Sequence, residues 1–308
     1  MADQLQAEEL CPPRPELWRD AGRRRAGTTR GHAPESRARA RWWGSIGVLG
    51  VLVLAALAVP AVVGGDDLVR YDSIRLPPEA AHPFGTDTAG RDLFARSLAG
   101  LRVSLLVAGV SAVISTVLGT LVGAAAGALG GWTDRLLMRA VDTVNAVPHL
   151  LLGIVIVALY RGSVVAVVLS IALTHWTTVA RIVRSRVLSL RQRPYIDAAI
   201  SGGASRWRVL RRHLLPAVIP QAALSAVLLV PHAVWHETAL SFLGLGLPAH
   251  MASIGNILGD GRAAVLLGAW WIVLFPSVLL VATTLAVSGI AATWRDTVVP
   301  RRRSELAL

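Results

Sequence analysis

Six stretches of this chain carry no Asp, Glu, Lys or Arg, and each is at least about as long as a helix that crosses a lipid bilayer, with 103–133 and 263–294 longer than one crossing needs. They are residues 42–65, 103–133, 143–160, 162–180, 213–236 and 263–294. Hydrophobic residues make up 54% of the 308-residue chain, which is too many for a soluble domain of this length. We therefore expect an all-α integral membrane protein with six transmembrane helices.

Arginine residues determine the expected orientation of these helices. The chain contains no lysine, so all 31 basic residues are arginine. If the N-terminus is cytoplasmic, residues 1–41, 131–141, 181–212 and 295–308 are the cytoplasmic segments, and together they hold 24 of the 31 arginines. Such an excess on one side is the pattern of the positive-inside rule. We predict that both termini lie in the cytoplasm.

The segments between the spans complete the expected organisation. Residues 1–41 are rich in Arg, Pro, Gly and Ala without apolar periodicity, so we predict a disordered tail there. The segments that follow the tail are the first span at 42–65, an extracytoplasmic loop at 66–100, a five-helix core at 101–294 with a cytoplasmic loop at 181–213, and a cytoplasmic tail at 295–308.

Residues 238–259 are also uncharged and raise the alternative of a seventh span. Pro248, His250 and Asn256 interrupt this segment, and a seventh crossing would place the arginines at 301–303 outside. Irregular backbone at membrane depth is tolerated only where protein or water covers it. We therefore predict an external loop that contains a partly buried helical piece.

Composition argues against several functions. A phosphate-binding loop of the GxxxxGK[ST] type requires a lysine, so this chain does not contain that kind of ATPase site. The net charge of +12 comes from arginines placed between apolar stretches, so we expect no nucleic-acid partner. His149 and His175 lie on separate predicted spans without the spacing of metal ligands, so we predict no metal and no cofactor.

The sequence YIDAAISGGASRWRVLRRHLLPAVIP, residues 195–220, interrupts the apolar stretches on the predicted cytoplasmic side. Pro194 suits the first turn of a helix of about two turns, which the glycines at 202–203 end. Ser205 can cap a second helix, and we expect that helix to close at Pro216. A short helix with small side chains suits docking in a groove of another protein. The alternative is a solvated loop whose arginines only fix the orientation of the chain.

Part of this segment resembles the cytoplasmic loop motif of binding-protein-dependent ABC importer permeases. That motif reads EAA, three residues, G, nine residues, then an apolar pair before LP. At the matching positions this sequence has Asp197, Ala198, Ala199, Gly203, Leu215 and Pro216. It departs from the motif where Asp197 replaces glutamate, which keeps the charge on a shorter side chain, and where His213 stands in place of a common isoleucine.

Four further segments are similar to signatures of the second permease subunit in the dipeptide, oligopeptide and nickel branch of this family. They are HPFGTDTAGRDLFARSLAGLRVSL (82–105), GGWTDRLLMRAVDTVNAVPHLLL (130–152), ETALSFLGLGLP (237–248) and LLGAWWIVLFP (266–276). In order and spacing the resemblance extends over residues 42–302. The five motifs together identify the family far more specifically than the loop motif alone.

The resemblance implies a fold, a set of partners and a function. The fold would be that of the type I importers, similar to the methionine-importer permeases, with residues 101–294 as the permease core. The partners would be a homologous second permease subunit, two P-loop ATPase subunits, an extracytoplasmic solute-binding protein and membrane lipid. The chain would be a non-catalytic subunit of a bacterial cytoplasmic-membrane importer of di- or oligopeptides, with nickel chelates or other small solutes as the alternative cargo.

The resemblance also nominates candidate site residues. The residues that would couple to the ATPase are Tyr195, Asp197, Ala198, Ala199, Gly203, Ala204, Ser205, Leu215 and Pro216. The residues of the family-signature loop are Gly85, Thr86, Asp87, Gly90, Arg91 and Asp92. For this loop we favour an ordered structure with internal ion pairs over contact with the binding protein.

Glu237 and a stripe of small residues are two further candidates inside the spans. Glu237 is a candidate pathway residue because ionisable groups at membrane depth are often functional, and structural hydrogen bonding is the alternative. The stripe recurs every fourth residue and consists of Ser111, Ser115, Gly119, Gly123 and Gly127. We predict that it permits close helix packing, with a solute pathway as the less favoured interpretation.

Two rival functions remain open from the sequence. An ion-coupled secondary transporter should carry an intramembrane carboxylate or cation site, and here only Asp142 and Glu237 approach the ends of spans. A non-transporting membrane anchor would use residues 197–203 as its attachment point. ATP-dependent uptake would distinguish both rivals from an ABC importer.

Overall fold

The structure, a computed structural model, describes residues 33–63 and 69–298. The predictions for residues 1–32 and 299–308, which make up most of the two tails, lie outside the described residues. Contacts divide the chain into two units, residues 1–40 and 41–308, and all candidate site residues belong to the second unit.

The described residues form helices, with one isolated antiparallel bridge between Thr86 and Asp92. The helices are α1 (Ala33–Val63), α2 (Leu93–Leu129), α3 (Gly131–Asn145), α4 (His149–Leu159), α5 (Val164–Arg191), α6 (Pro194–Ser201), α7 (Arg206–Val209), α8 (Leu215–Phe242), α9 (Ile254–Val265) and α10 (Trp271–Val298). A 3₁₀ turn at Tyr71–Ser73 and a π turn at Leu210–Leu214 complete them. The predicted all-α membrane fold is confirmed.

The first helix begins earlier than the sequence suggested. α1 starts at Ala33, so the last nine residues of the predicted disordered tail, 33–41, are helical. Alanine and arginine make up most of these nine residues, and both are strong helix formers. The disorder predicted for this part of the tail is therefore wrong.

Five of the described helices are long and apolar enough to cross a membrane, and the bent pair α3 and α4 makes a sixth if it counts as one span. The third predicted span, 143–160, is therefore wrong as a single helix, because α3 and α4 meet at 80°. Pro148 explains the break, since it lacks an N–H and disfavours the helical conformation of the residue before it. α4 alone has 11 residues, which gives a length of about 16 Å.

Three further predicted spans differ from the helices at their ends. α2 begins at Leu93, well before the predicted start at 103, because Asp92 caps it by accepting the N–H of Ala95 at 2.9 Å. α5 continues to Arg191 rather than ending at 180, so the first part of the predicted cytoplasmic loop 181–213 is helical. α8 likewise continues beyond the predicted span 213–236.

The last predicted span, 263–294, is wrong at its start. α9 ends at Val265, a turn with Gly268 at φ 87° follows, and α10 begins at Trp271. A left-handed glycine ends a helix because it places the chain outside the helical path. An uncharged stretch that contains such a turn cannot be distinguished from one continuous span by composition.

The uncharged segment 238–259 forms no span of its own among the described helices. Its first residues complete α8, and a loop then leads to Ser253, whose hydroxyl accepts the N–H of Asn256 at 3.1 Å and so caps α9. α9 is partly buried, with Ile254 and Ile257 almost fully enclosed. The predicted partly buried helical piece is confirmed, the loop before it is shorter than predicted because residues 238–242 belong to α8, and its external location stays a prediction.

The small-residue stripe on α2 packs directly against α5. Ser111 and Ser115 donate hydrogen bonds to carbonyls of α5, and a Cβ atom added at Gly119 or Gly123 would collide with the α5 backbone. A Cβ at Gly127 would meet Val187 of the same helix. All five stripe residues are buried. The helix-packing interpretation is therefore confirmed, and the stripe lies too close to α5 to line a solute path.

This packing predicts a selective loss of stability when Gly123 is replaced with alanine. The new methyl group would overlap the carbonyl of Ala180, and overpacking of this kind typically costs about 1–3 kcal/mol. Gly109 on the same helix has open space around it, so Gly109→Ala is the matched control. We expect the thermal midpoint of the detergent-solubilised protein to fall for Gly123→Ala and not for Gly109→Ala. Equal midpoints would contradict the close approach of the two helices.

Candidate functional site

The short helix predicted to dock in a partner is α6, and local sequence explains both of its ends. Pro194 lies in its first turn, where a missing N–H leaves no hydrogen bond unmade. At the other end, the N–H groups of Gly203 and Ala204 donate to the carbonyls of Ile200 and Ala199 at 2.9 and 3.0 Å. The predicted helix start at the proline and helix end at the glycines are confirmed.

The two glycines after α6 make different contributions to the turn. Gly203 has a φ of 83°, in the left-handed region that glycine adopts without strain. Gly202 has a φ of −77°, which any residue can adopt. The turn therefore requires glycine at one of the two positions only.

One side of α6 is exposed, and the opposite side packs against the neighbouring helices. Ile196 is almost fully buried and packs in an apolar cluster that includes Val187 of α5 and Leu214 of the π turn. Tyr195 and Ile200 are about half exposed, at 48% and 53% of their surface. A force applied to the exposed side of α6 would reach α5 and α8 through this cluster.

The structure brings most of the candidate coupling residues together. Their exposed members are Tyr195, Asp197, Ala198, Gly203 and Ser205, and their half-buried members are Ala199 and Ala204. Leu215 and Pro216 lie apart from these residues, at the start of α8, where Leu215 packs against the cluster that holds Ile196. Residues 195–205 thus form one surface, Leu215 packs against the cluster beneath it, and Pro216 is exposed.

The basic segment after α6 does not close at Pro216, so that prediction is wrong. Ser205 caps α7 as predicted, by accepting the N–H of Arg208 at 3.3 Å. The chain then passes through the π turn, in which the N–H of Leu215 donates to the carbonyl of Leu210, and continues into α8 as one helical span of 37 residues. A wide turn accommodates a proline because it relieves the demand for the i→i−4 hydrogen bond.

The family-signature loop is an ordered, hydrogen-bonded structure. Asp87 is almost fully buried and accepts hydrogen bonds from the N–H groups of Ala89 and Arg91 and from the Arg91 guanidinium, all at 2.8–3.0 Å. Thr86 donates its hydroxyl to the carbonyl of Ser73, and its carbonyl accepts the indole N–H of Trp271 at 3.3 Å. These bonds attach the loop to the start of α10.

Backbone geometry explains the remaining residues of this loop. Gly85 and Gly90 have φ angles of 73° and 74°, and a Cβ at either would collide with a backbone carbonyl. Asp92 caps α2 and also contacts the Nδ1 atom of His82 at 2.7 Å. All six signature residues therefore have a structural explanation.

A buried arginine joins the loop to α9. The Arg96 guanidinium lies 3.5 Å from the Asp87 carboxylate and 3.6 Å from that of Asp260 on α9. Burial raises the pKa of the Asp260 carboxyl, and the nearby guanidinium groups of Arg96 and Arg91 act in the opposite direction. This arrangement of internal ion pairs favours the structural interpretation of the loop over contact with the binding protein.

Glu237, the candidate pathway residue, is fully enclosed. Its carboxylate accepts hydrogen bonds from the hydroxyls of Ser104 at 2.6 Å and Ser241 at 2.8 Å. The Ser104 hydroxyl in turn accepts the N–H of Ile254 at 3.4 Å, so α2, α8 and α9 meet at this carboxylate. The geometry favours the structural alternative, because a solute in a pathway would not reach a group with 0% of its surface exposed.

We expect Glu237→Gln to lower stability without affecting transport per folded molecule. The amide places one oxygen and one NH₂ group where the carboxyl group has two oxygens, so one of the two serine hydroxyls loses its acceptor. The loss of one hydrogen bond typically costs about 0.5–1.5 kcal/mol. Glu79 is exposed, so Glu79→Gln is the control. A reduced thermal midpoint with a normal uptake rate supports the structural role. An unchanged midpoint with lost uptake would support the pathway role.

Three histidines from three helices lie in a row, which sequence reasoning did not anticipate. The ring of His175 on α5 is 5.6 Å from that of His149 on α4 and 4.6 Å from that of His236 on α8. The Nδ1 atom of His175 donates to the carbonyl of Ile171 at 2.9 Å. No sequence spacing relates residues on three separate helices, so only the packing of the spans reveals the row. Within the described residues, no group of three or more His, Cys, Asp or Glu side chains is arranged to hold a metal ion.

Comparison with known proteins identifies the family of this helical chain. A family profile described as "Binding-protein-dependent transport system inner membrane component" matches residues 119–304. The chain is 34% identical to the dipeptide transport system permease protein DppC of Bacillus subtilis (strain 168), over 84% of this chain and 82% of that protein.

Two further relatives support the same assignment. The chain is 30% identical to the oligopeptide transport system permease protein OppC of Bacillus subtilis (strain 168), over 96% of this chain and 94% of that protein. It is 40% identical to OppC of Escherichia coli (strain K12), over 73% of this chain and 74% of that protein. With a profile match over more than half of its length, the chain belongs to the family of inner-membrane components of binding-protein-dependent transport systems.

Proposed function

We propose that this chain is the permease subunit of an ABC importer that carries di- or oligopeptides across the bacterial cytoplasmic membrane. The names of its relatives, which are dipeptide and oligopeptide permeases, support the peptide class of cargo over nickel chelates. The chain forms half of the pathway, and a homologous second permease subunit forms the other half. ATP hydrolysis takes place in two separate P-loop ATPase subunits, and an extracytoplasmic solute-binding protein delivers the cargo.

The observation that carries this proposal is the geometry of α6. Tyr195, Asp197 and Ile200 are exposed on a short helix, while Ile196 fixes that helix to the spans. The small and apolar side chains of this surface can fit into a groove of a partner protein, and the exposed carboxylate of Asp197 can form one ion pair there. With the arginine-rich segments in the cytoplasm, this surface faces the compartment in which ATP is available.

The mechanism that fits this arrangement is alternating access. ATP binding draws the two ATPase subunits together, and each pulls on the α6 helix that it holds. The apolar cluster around Ile196 transmits the displacement to α5 and α8 and tilts the bundle toward its outward-facing state. Nucleotide shifts the equilibrium between the inward-facing and outward-facing states only by the difference between its affinities for them. The ATPase can transmit that difference to the spans only while it stays bound to α6, so this contact persists in both states.

Uptake by proteoliposomes tests the proposed function. The complete transporter, with its ATPase subunits enclosed and its binding protein added outside, should accumulate a labelled dipeptide only when ATP is present inside. Uptake that responds only to an ionophore would favour an ion-coupled secondary transporter. Co-purification of the ATPase without any uptake would favour a membrane anchor.

A further inference from the structure

A basic cleft adjoins the coupling surface, with which it shares Ser205, on the segment that leads into α8. It has a volume of about 440 Å³ and is lined by Ser205, Trp207, Arg208, Arg211 and Arg212. The three arginines follow the i, i+3, i+4 spacing that places side chains on one face of a helix. We propose that this cleft binds the phosphate of an anionic phospholipid in the cytoplasmic leaflet.

Among the residues that the structure describes, the charge in the cleft has no partner. Within residues 33–63 and 69–298, no carboxylate lines the cleft, and none of its three arginines forms an ion pair or a side-chain hydrogen bond. Arg181 and Arg184 on α5 are different, because they pair with Asp142 and Asp134. Arginines that line one cleft without a counter-charge suit the oxygens of a phosphate, to which arginine can donate two hydrogen bonds at once.

The position of the cleft along the helix indicates which phosphate it meets. Arg212 is two residues before Leu214, from which the span continues without an Asp, Glu, Lys or Arg as far as residue 236, so the arginines directly precede the apolar part of the span. Trp207 has 64% of its surface exposed, and tryptophan at such a boundary is typical of the headgroup layer. Arginine clusters immediately cytoplasmic of a span attract anionic lipid headgroups.

Lipid retention measured by native mass spectrometry tests the proposal. The full-length transporter is purified in detergent and incubated with dioleoylphosphatidylglycerol or, separately, dioleoylphosphatidylcholine. The variant Arg208→Gln/Arg211→Gln/Arg212→Gln should retain at least fivefold less phosphatidylglycerol than the natural protein, with no change for phosphatidylcholine. The control Arg135→Gln/Arg139→Gln/Arg186→Gln, which removes three exposed arginines that do not line the cleft, should change neither.

Other outcomes would overturn the proposal. Phosphatidylglycerol retention equal to that of the natural protein would show that the cleft is not the headgroup site. Normal retention together with loss of the ATPase subunits would assign the cleft to the ATPase, and displacement of the lipid by 10 mM inorganic phosphate would assign it to free phosphate. If the triple variant does not fold, Arg211→Gln alone, at an exposed position, should still reduce retention about twofold, and unchanged retention would contradict the proposal.

Discussion

Gly203→Leu is expected to abolish ATP-driven uptake while leaving the chain inserted in the membrane. Any L-residue in the left-handed conformation that Gly203 adopts costs about 1–2 kcal/mol, which is a factor of about 5–30 in the population of the native turn. Relaxation of the turn would break the bonds from Gly203 and Ala204 to the end of α6 and reorient Tyr195 and Asp197. The ATPase subunit would then no longer bind α6 and could not move the spans.

Gly202→Leu is the matched control for this prediction. It adds the same side chain at the adjacent exposed position, where the φ of −77° suits any residue. Membrane content is measured by quantitative immunoblotting, and transport by uptake of a labelled dipeptide into proteoliposomes. Uptake at the natural rate by Gly203→Leu would contradict the coupling role of α6. Equal loss in both variants would contradict the backbone explanation.

Asp87→Ala is expected to cause the largest loss of stability among the substitutions considered. Removing this carboxylate leaves the buried Arg96 guanidinium without its nearer counter-charge and removes the acceptor of three hydrogen bonds from Ala89 and Arg91. Breaking a buried ion pair by deleting one partner typically costs about 3–5 kcal/mol. The loop that attaches α2 to α10 would then lose its fixed shape.

The control for this substitution is Asp72→Ala, at an exposed carboxylate in the same loop region. Substitutions at exposed positions without a buried ion pair or hydrogen-bond network usually change the free energy of unfolding by less than about 0.5 kcal/mol. Thermal unfolding of the detergent-solubilised protein, followed by circular dichroism, compares the two variants. Similar thermal midpoints for Asp87→Ala and Asp72→Ala would show that the ion pairs of the signature loop do not stabilise the fold. Contact with the binding protein would then be the favoured role of the loop.

The elements that could be predicted from the sequence are those with local causes. Pro194, Gly203 and Ser205 act within a few residues of themselves, and the ends of α6 and the start of α7 follow from them. The every-fourth-residue stripe on α2 likewise predicts a close neighbour, because small side chains remove the steric barrier to approach. Arginine placement predicts an orientation because it depends on composition alone.

The elements that could not be predicted depend on packing between distant residues. Proline at 216 is a reliable stop signal only in a regular α-helix, and a π turn lets the chain continue past it. Ser104, which donates to the Glu237 carboxyl group, is 133 residues away, so sequence distance gives no sign of the enclosed site. The row of His149, His175 and His236 depends in the same way on how α4, α5 and α8 meet.

Site-specific photocrosslinking from residue 195 tests the central claim most directly. Tyr195 is replaced with a photoreactive phenylalanine analogue, which occupies a similar volume at a half-exposed position on α6. In the assembled transporter we expect a crosslink to the P-loop ATPase subunit, both with and without ATP. A crosslink to the solute-binding protein, or transport-competent complexes in which the ATPase is never captured, would contradict the account.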